Sequence, residues 1–319
     1  MSDVPHNRPL VSIGIPCFNA ENTIGRAIKS ALNQDWPNIE VIIVDDCSTD
    51  RSCQVIKKVI SQDSKAKLII LDKNMGPGAV RSRILSEAQG GYIAFFDDDD
   101  ESLPGRVSTQ LKRLNEYERQ SGNSLLACYI SGVRVYPNDY IKPFNAVGSK
   151  PEIPKGSMMA DYLLYYGRIS GVNYGSGTPA CALMARKNTF DAVAGFDPSL
   201  RRLEDVDFAI KLALAGGHFI GCPEQLLIQF ATDAPDKSPE KNLQAEQAIA
   251  TKYKEYLQKK RRYDYAYRWP LIRYYHFRHQ YGYLLYELIH LLMQHPIKVL
   301  SHVAQTWPRR FMHERNMRK

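Results

Sequence analysis

Along the first hundred residues, short apolar runs alternate with helical patterns at a spacing that leaves few folds open. The runs Val11 to Pro16, Glu40 to Asp45, Lys67 to Leu71 and Tyr92 to Phe96 read as strands, rich in β-branched and aromatic residues and bounded by turn formers. Between them, Glu21 to Asn33 sets Ile24, Ala27, Ile28, Ala31 and Leu32 on one helical face. Asp50 to Ile60 follows the capping candidates Ser48 and Thr49, and Ala79 to Ala88 follows Gly76, Pro77 and Gly78. Strands connected through helices in this order form a parallel sheet with right-handed crossovers. The fold class is α/β, a mainly parallel sheet flanked by helices.

After Asp100 the alternation loosens. A helix is expected from about Arg106 to Arg119, then a strand from Leu125 to Val135 and a Pro/Gly-rich connection through Ser157. Residues 158 to 166 and 178 to 196 read as helix, strand and short helix. Glu204 to Ala215 is an amphipathic helix with Phe208, Leu212 and Ala215 at helical spacing, and His218 to Cys222 and Leu226 to Phe230 are strand-like. From about Pro239 the sequence turns helical, basic and tyrosine-rich. The expected organisation is an α/β domain over residues 1 to 238, divided near residue 100, and a helical region over 239 to 319.

The charge divides the same way. Residues 251 to 319 hold 15 Lys and Arg against 4 Asp and Glu, net +11, whereas residues 1 to 250 carry 27 against 30, net −3. Six of the eight histidines also lie in the tail, where mild acid is expected to add positive charge. The six cysteines show neither a CxxC pair nor metal-ligand spacing, which argues for reduced, mostly buried thiols. Met1 to Leu10 has no apolar signal core, and no stretch reaches the roughly 20 apolar residues that span a bilayer. Residues 280 to 294 are apolar but interrupted by Glu287 and His290, a pattern for lying along an interface rather than across one.

Four consecutive aspartates, Asp97 to Asp100, end the fourth strand. In an open α/β sheet the carboxyl ends of the strands form the ligand crevice, so this block can meet a divalent cation and the phosphates it carries. By itself the run is equally compatible with a solvated acidic loop. Other strand ends and helix starts carry polar groups too. Phe18 and Asn19 follow Pro16, Asp45 and Asp46 end the second strand, Arg81 lies just past the Gly-Pro-Gly turn, and Glu204 and Asp205 begin a helix.

Five blocks give these positions a common meaning: Val11-Ser-Ile-Gly-Ile-Pro-Cys-Phe-Asn19, Val44-Asp-Asp-Cys-Ser-Thr-Asp50, Gly76-Pro-Gly-Ala-Val-Arg81, Phe96 to Asp100, and Leu203-Glu-Asp-Val-Asp-Phe208. In this order the chain resembles the inverting family-2 glycosyltransferases of the GT-A fold, of bacterial polysaccharide type. The resemblance implies a GT-A catalytic domain over 1 to 238, with a nucleotide-binding half (1 to 100) and an acceptor half (101 to 238). It implies that Pro16, Phe18 and Asn19 border the uracil of a UDP-sugar and that Asp46 accepts from its imide. Arg81 would approach phosphate, Asp98 would touch ribose, and Asp97 and Asp99 would hold Mn²⁺ or Mg²⁺, with the register open by one residue. Asp205 would be the general base, kept ionised by the helix N-terminus. Ser48, Thr49 and Asp50 are expected to cap the second helix, Asp207 to be structural, and Thr178 is a speculative acceptor-side residue.

The implied activity is transfer of one sugar from a UDP-sugar donor to a hydroxyl of a glycan or lipid-linked saccharide in cell-surface polysaccharide synthesis. A sugar-1-phosphate nucleotidyltransferase would show Gly-x-Gly-Thr-Arg soon after the first strand, and residues 14 to 26 lack it. Processive synthesis is not expected, because the only Arg-Trp pair, Arg268-Trp269, has Tyr265 where the Gln-x-x-Arg-Trp signature needs Gln. A non-catalytic polyanion-binding or membrane-binding protein is the remaining alternative. The basic tail points to an anionic membrane surface through residues 251 to 319 rather than to nucleic acid. The expected location is cytoplasmic, peripheral on the inner face of the cell membrane.

Overall fold

The computed structural model describes residues 8–231 and 238–317. The amino-terminal residues read above for a signal core lie largely outside the described residues, as does the stretch just before the expected boundary at 238/239. The chain divides into two compact units. The first comprises residues 1–135, 141–160 and 169–230, and the second comprises 136–140, 161–168 and 231–319.

In the first unit, β1 (Val11–Cys17), β2 (Ile39–Asp45), β3 (Ala66–Ile70) and β4 (Tyr92–Phe95) pair in parallel in the order β3-β2-β1-β4. The crossovers are α1 (Ile24–Leu32), α2 (Ser52–Ile60) and α3 (Pro77–Glu87). Both faces of β1 and β2 are covered, which is why these strands are continuous apolar runs. The expected first helix begins three residues late, because Ala20 and Glu21 donate their amides to Ser52 Oγ and Asp50 across the neighbouring loop.

The remainder of this unit adds β5 (Glu101–Ser102), α4 (Arg106–Ser121), β6 (Leu126–Val135), β7 (Ile141–Phe144), α5 (Ser157–Tyr165), β8 (Leu183–Arg186), α6 (Lys187–Asp191), α7 (Glu204–Leu214) and β9 (His218–Phe230), with α5 running on into the second unit. Among the described residues the sheet runs β3-β2-β1-β4-β8-β6-β9-β5, with β7 on β6. β8 is antiparallel to both its neighbours, so β6 and β9 run with the first four strands, and the sheet is mainly parallel as expected. The two expected strands at His218 to Cys222 and Leu226 to Phe230 are one. The pairing with β6 shifts after Cys222, where Pro223 has no N–H to give the ladder. β5 and β7 were not legible in the sequence: one is two residues long, and the other is an exposed edge containing Pro143.

Arg106 anchors the junction between β4 and α4. It is fully buried and donates to Phe95 O at 2.9 Å, Ser102 Oγ at 2.7 Å and Gln110 Oε1 at 3.0 Å, with its guanidinium 4.2 Å from the Phe96 ring centroid. Burial pulls its pKa down to about 10. All six cysteines are free and four are buried.

The second unit is helical: α8 (Pro239–Lys252), α9 (Lys254–Lys259), α10 (Tyr263–Phe277), α11 (Tyr281–Gln294) and α12 (Pro296–Met317). Pro239 opens α8 behind Ser238, whose Oγ accepts from the Lys241 amide. Tyr265, Leu291 and Val299 form its core, with Trp269, Ile272 and Val303 packed around them. His302 is buried, stacked on Trp269 at 3.9 Å and bonded to Tyr265 Oη at 2.6 Å, and burial drives its pKa down to about 3. His295 is lowered as well. The positive charge expected in the tail under mild acid therefore gains nothing from His302 and less from His295, because burial disfavours their charged forms.

Arg106→Ala should lower stability by roughly 3 kcal/mol, because it opens a cavity and leaves Phe95 O and the Gln110 and Ser102 side chains without their donor. A denaturant melt of the purified variant checks this.

Candidate active site

The loops at the carboxyl ends of β1, β2 and β4 are tied to one another by polar contacts. Phe18 N donates to Asp98 Oδ2 at 3.0 Å, and the Phe18 ring is 47% exposed. Asn19, with φ of 50°, donates its amide to Ser48 Oγ and accepts from Thr49 N through Oδ1. Ser48 and Thr49 thus clasp the β1 loop instead of capping α2, whose N-cap position is Arg51 with no side-chain cap bond. Asp50 does serve the start of α2, accepting from Ser52 N at 2.9 Å.

Asp46 is buried, and its two carboxylate oxygens accept from Met75 N at 2.6 Å and Gly76 N at 2.8 Å. These bonds pin the loop entering α3. Gly76 has φ of +87°, and a Cβ on Gly78 would lie 2.2 Å from Asp197 O, so one glycine supplies a left-handed turn and the other a close approach. The turn delivers Arg81, which is buried and ion-paired with Glu204 of α7 and, at 2.9 Å, with Asp97. The sequence reading had Arg81 approaching phosphate. Its two terminal nitrogens are paired with carboxylates, and its Nε is buried without a partner.

The four aspartates diverge. Asp97 meets Arg81, and Asp98 meets Phe18 N. Asp99 gives its backbone carbonyl to Arg26 Nη2 at 2.6 Å, and Asp100 accepts from Phe230 N at 3.3 Å and Gln229 Nε2 at 3.4 Å. Arg26 in turn lies 3.9 Å over the Phe230 ring. Burial and the neighbouring aspartates push Asp98 up to about 8 and Asp100 up to about 7. Asp97, Asp100 and Cys181 each bring a ligand atom to within 4.8 Å of the others. Asp97, expected as a metal ligand, is in this group, whereas Asp99 is not.

The donor set suits a hard divalent cation through its carboxylate oxygens. Cys181 does not contribute to that fit. Its thiol is pushed well above the usual range, first by burial and then by Asp97 and Asp100, and its sulfur takes Gln229 Nε2 at 3.0 Å. Cys181, Arg26 and Gln229 carry no signal in the sequence, whereas Asp100 belongs to the aspartate run.

Glu204 places Asp205 beside this group. Burial, then the adjacent Glu204, push Asp205 up to about 7, with Arg81 opposing. The helix N-terminus was expected to keep it ionised, and desolvation outweighs that. Asp207 is buried and pairs with Lys211 at 3.6 Å, a structural role. Thr178 is buried, with its Oγ1 lacking a hydrogen-bond partner. Pro16 lies within β1, opposite Val44.

A mainly parallel sheet whose strand ends gather acids around an arginine is an open α/β architecture with its polar groups at the strand carboxyl ends. Residues 12–149 match the model described as Glycosyl transferase family 2. The chain is 44% identical over 105 residues to an uncharacterized glycosyltransferase of Haemophilus influenzae, covering 33% of this chain and 42% of that protein. It is 37% identical over 154 residues to the Escherichia coli UDP-Glc:alpha-D-GlcNAc-diphosphoundecaprenol beta-1,3-glucosyltransferase WfaP, covering 47% and 55%. The fold is similar to the crystal structure of S. aureus TarS 1-349 in complex with UDP, at a TM-score of 0.58 and 23% identity, over 86% of this chain and 74% of that one. Residues 12–149 are thus similar to family-2 glycosyltransferases, and the fold is like that of the TarS structure. The chain spans about half the length of the curated relatives it matches.

Arg81→Met should cost roughly 3 kcal/mol, because it leaves Glu204 buried without its cation, whereas Asp97→Asn, at a wetter position, should cost roughly 1 kcal/mol or less. Paired urea melts test the ranking.

Proposed function

We propose that the protein is a metal-dependent inverting glycosyltransferase that moves a sugar from a UDP-sugar to a hydroxyl of a lipid-linked saccharide in cell-surface polysaccharide synthesis. The observation that carries this reading is the Glu204–Arg81–Asp97 bridge, which holds Asp205 at the end of the strand bearing the aspartate run. The names of relatives such as WfaP and the UDP bound in the TarS neighbour support the choice of donor and acceptor class.

In this reading residues 1 to 100 bind the nucleotide and residues 101 to 238 the acceptor. Pro16, Phe18 and Asn19 frame the uracil, and the exposed Phe18 ring stacks on it. Asp46 uses the lone pairs left after its bonds to Met75 and Gly76 to accept from the imide. Asp98 faces the ribose. Asp97 and Asp99 hold Mg²⁺ or Mn²⁺, with Asp100 behind them, engaged with β9. The cation, when bound, offsets charge on the departing diphosphate. Arg81 acts as a positioning residue that fixes Asp97 and the start of α7.

Asp205 takes the proton from the acceptor hydroxyl as that oxygen attacks the anomeric carbon, the bond to the UDP oxygen breaks, and an α donor yields a β product. The work is done on the cytoplasmic face of the membrane, with residues 251 to 319 meeting its anionic surface.

A panel of nucleotide sugars with Mn²⁺ and Mg²⁺ should yield free UDP; release of pyrophosphate instead would favour a nucleotidyltransferase. Asp205→Asn should keep UDP affinity and lose roughly 100-fold or more in kcat, and retained transfer would remove it as the base. Because the carboxylate is the active form and its pKa is raised to about 7, kcat should climb with pH below about 7 and level off above it. Asp99→Ala should abolish metal-dependent UDP binding by calorimetry while Asp100→Asn retains it, and the reverse pattern would shift the ligand to Asp100.

A further inference from the structure

The helices α11 and α12 turn an apolar face outward. On α11, Glu287 and Leu291 are buried, while Leu285, Tyr286, Ile289 and Met293 are exposed, the last at 81%. Leu285, Ile289 and Met293 are four residues apart and so line one side of the helix. On α12, Val299 and His302 face the core, and Ile297, Leu300 and Trp307 are exposed, with Ile297 at 84%. Met293 and Ile297 stand on either side of the α11–α12 turn, so the two stripes meet there. A surface helix ordinarily exposes its polar side, and a contiguous apolar face of this kind marks a contact with something else.

Charge selects the contact. Between residues 281 and 307 the only carboxylate is Glu287, which is turned inward onto Arg268 at 3.0 Å. No acid therefore accompanies the exposed face. The twelve residues after Trp307 hold five Arg and Lys against one Glu in the sequence. Docking two copies through this face would bring together two regions that each carry a net +11, and repulsion opposes that. An anionic lipid surface complements both the charge and the apolar stripe. The aromatic residues Tyr281, Tyr283, Tyr286 and Trp307 are exposed in the same region, and such rings favour the headgroup boundary. No helix among the described residues is long and apolar enough to cross a membrane.

From these observations we infer that the outward face of α11 and the first turns of α12, centred on Met293 and Ile297, inserts shallowly into an anionic bilayer and lies in its plane. The inference rests on the reading of residues 251 to 319 as a membrane-facing region and assigns the contact to apolar insertion, which charge attraction assists.

The test uses the full chain with vesicles of phosphatidylcholine alone or mixed with phosphatidylglycerol. The wild type should float with the mixed vesicles and more weakly with the neutral ones. Met293→Glu combined with Ile297→Glu should lower the affinity by roughly tenfold or more with melting temperature and UDP affinity unchanged, since both side chains are exposed. Trp307 emission should shift to the blue on adding mixed vesicles, and Trp307→Phe should abolish the shift. Undiminished flotation of the double variant would overturn the proposal. So would a wild type that ignores vesicles but forms a dimer by light scattering which the double variant dissolves, because the face would then be a self-interface. Loss of UDP binding by wild type and variant alike would count against the proposed transferase and leave the vesicle result standing.

Discussion

The buried guanidinium of Arg81 is the interaction on which the rest of the candidate site depends. It comes from α3, pairs with Glu204 at the start of α7 and with Asp97 just past β4, and so joins three segments far apart in the chain. A buried arginine without partners would be costly, and so would a buried glutamate; each makes the other tolerable. Two glycines make the arrangement reachable, Gly76 by its backbone conformation and Gly78 by letting α3 press against the 197–200 loop. Asp46 then holds that turn through two backbone amides.

Four adjacent carboxylates are a source of repulsion, and the fold disperses it. The chain at Asp97 to Asp100 is held by a different element at each residue: α3, the β1 loop, α1 and β9. Desolvation and mutual repulsion still raise Asp98 and Asp100 into the neutral range, so the cluster is not satisfied as a set of free anions. A divalent cation would relieve the same imbalance, which gives the proposed metal site an electrostatic rationale beyond the motif. Cys181 lies beside the acids as a protonated thiol and leaves the hard oxygens to define the chemistry.

The helical unit follows the opposite logic at its surface. His302 and the one carboxylate between residues 281 and 307 are drawn inward, with His302 stacked on Trp269 and Glu287 bound to Arg268, while leucine, isoleucine and methionine side chains are left outside. The apolar pattern of residues 280 to 294 was visible in the sequence, but which side faced the core was not. Glu287 looked like an interruption of the apolar stripe and is in fact on the buried side.

The sequence by itself determined the parallel half of the sheet, its crossover helices and the places where polar residues emerge. Those follow from local periodicity and from strand ends, which a linear chain displays directly. It also carried a resemblance to a family, in five short blocks in a fixed order, and the family model matches over residues 12–149. Tertiary structure alone decided what each polar group meets: Arg81 paired with two carboxylates, Ser48 and Thr49 bound to the β1 loop, Asp100 drawn to β9 beside Cys181, and Asp205 raised toward neutrality. The physical reason is that hydrogen bonding and desolvation depend on neighbours brought together from 16 to 130 residues away, and no local pattern encodes who those neighbours are.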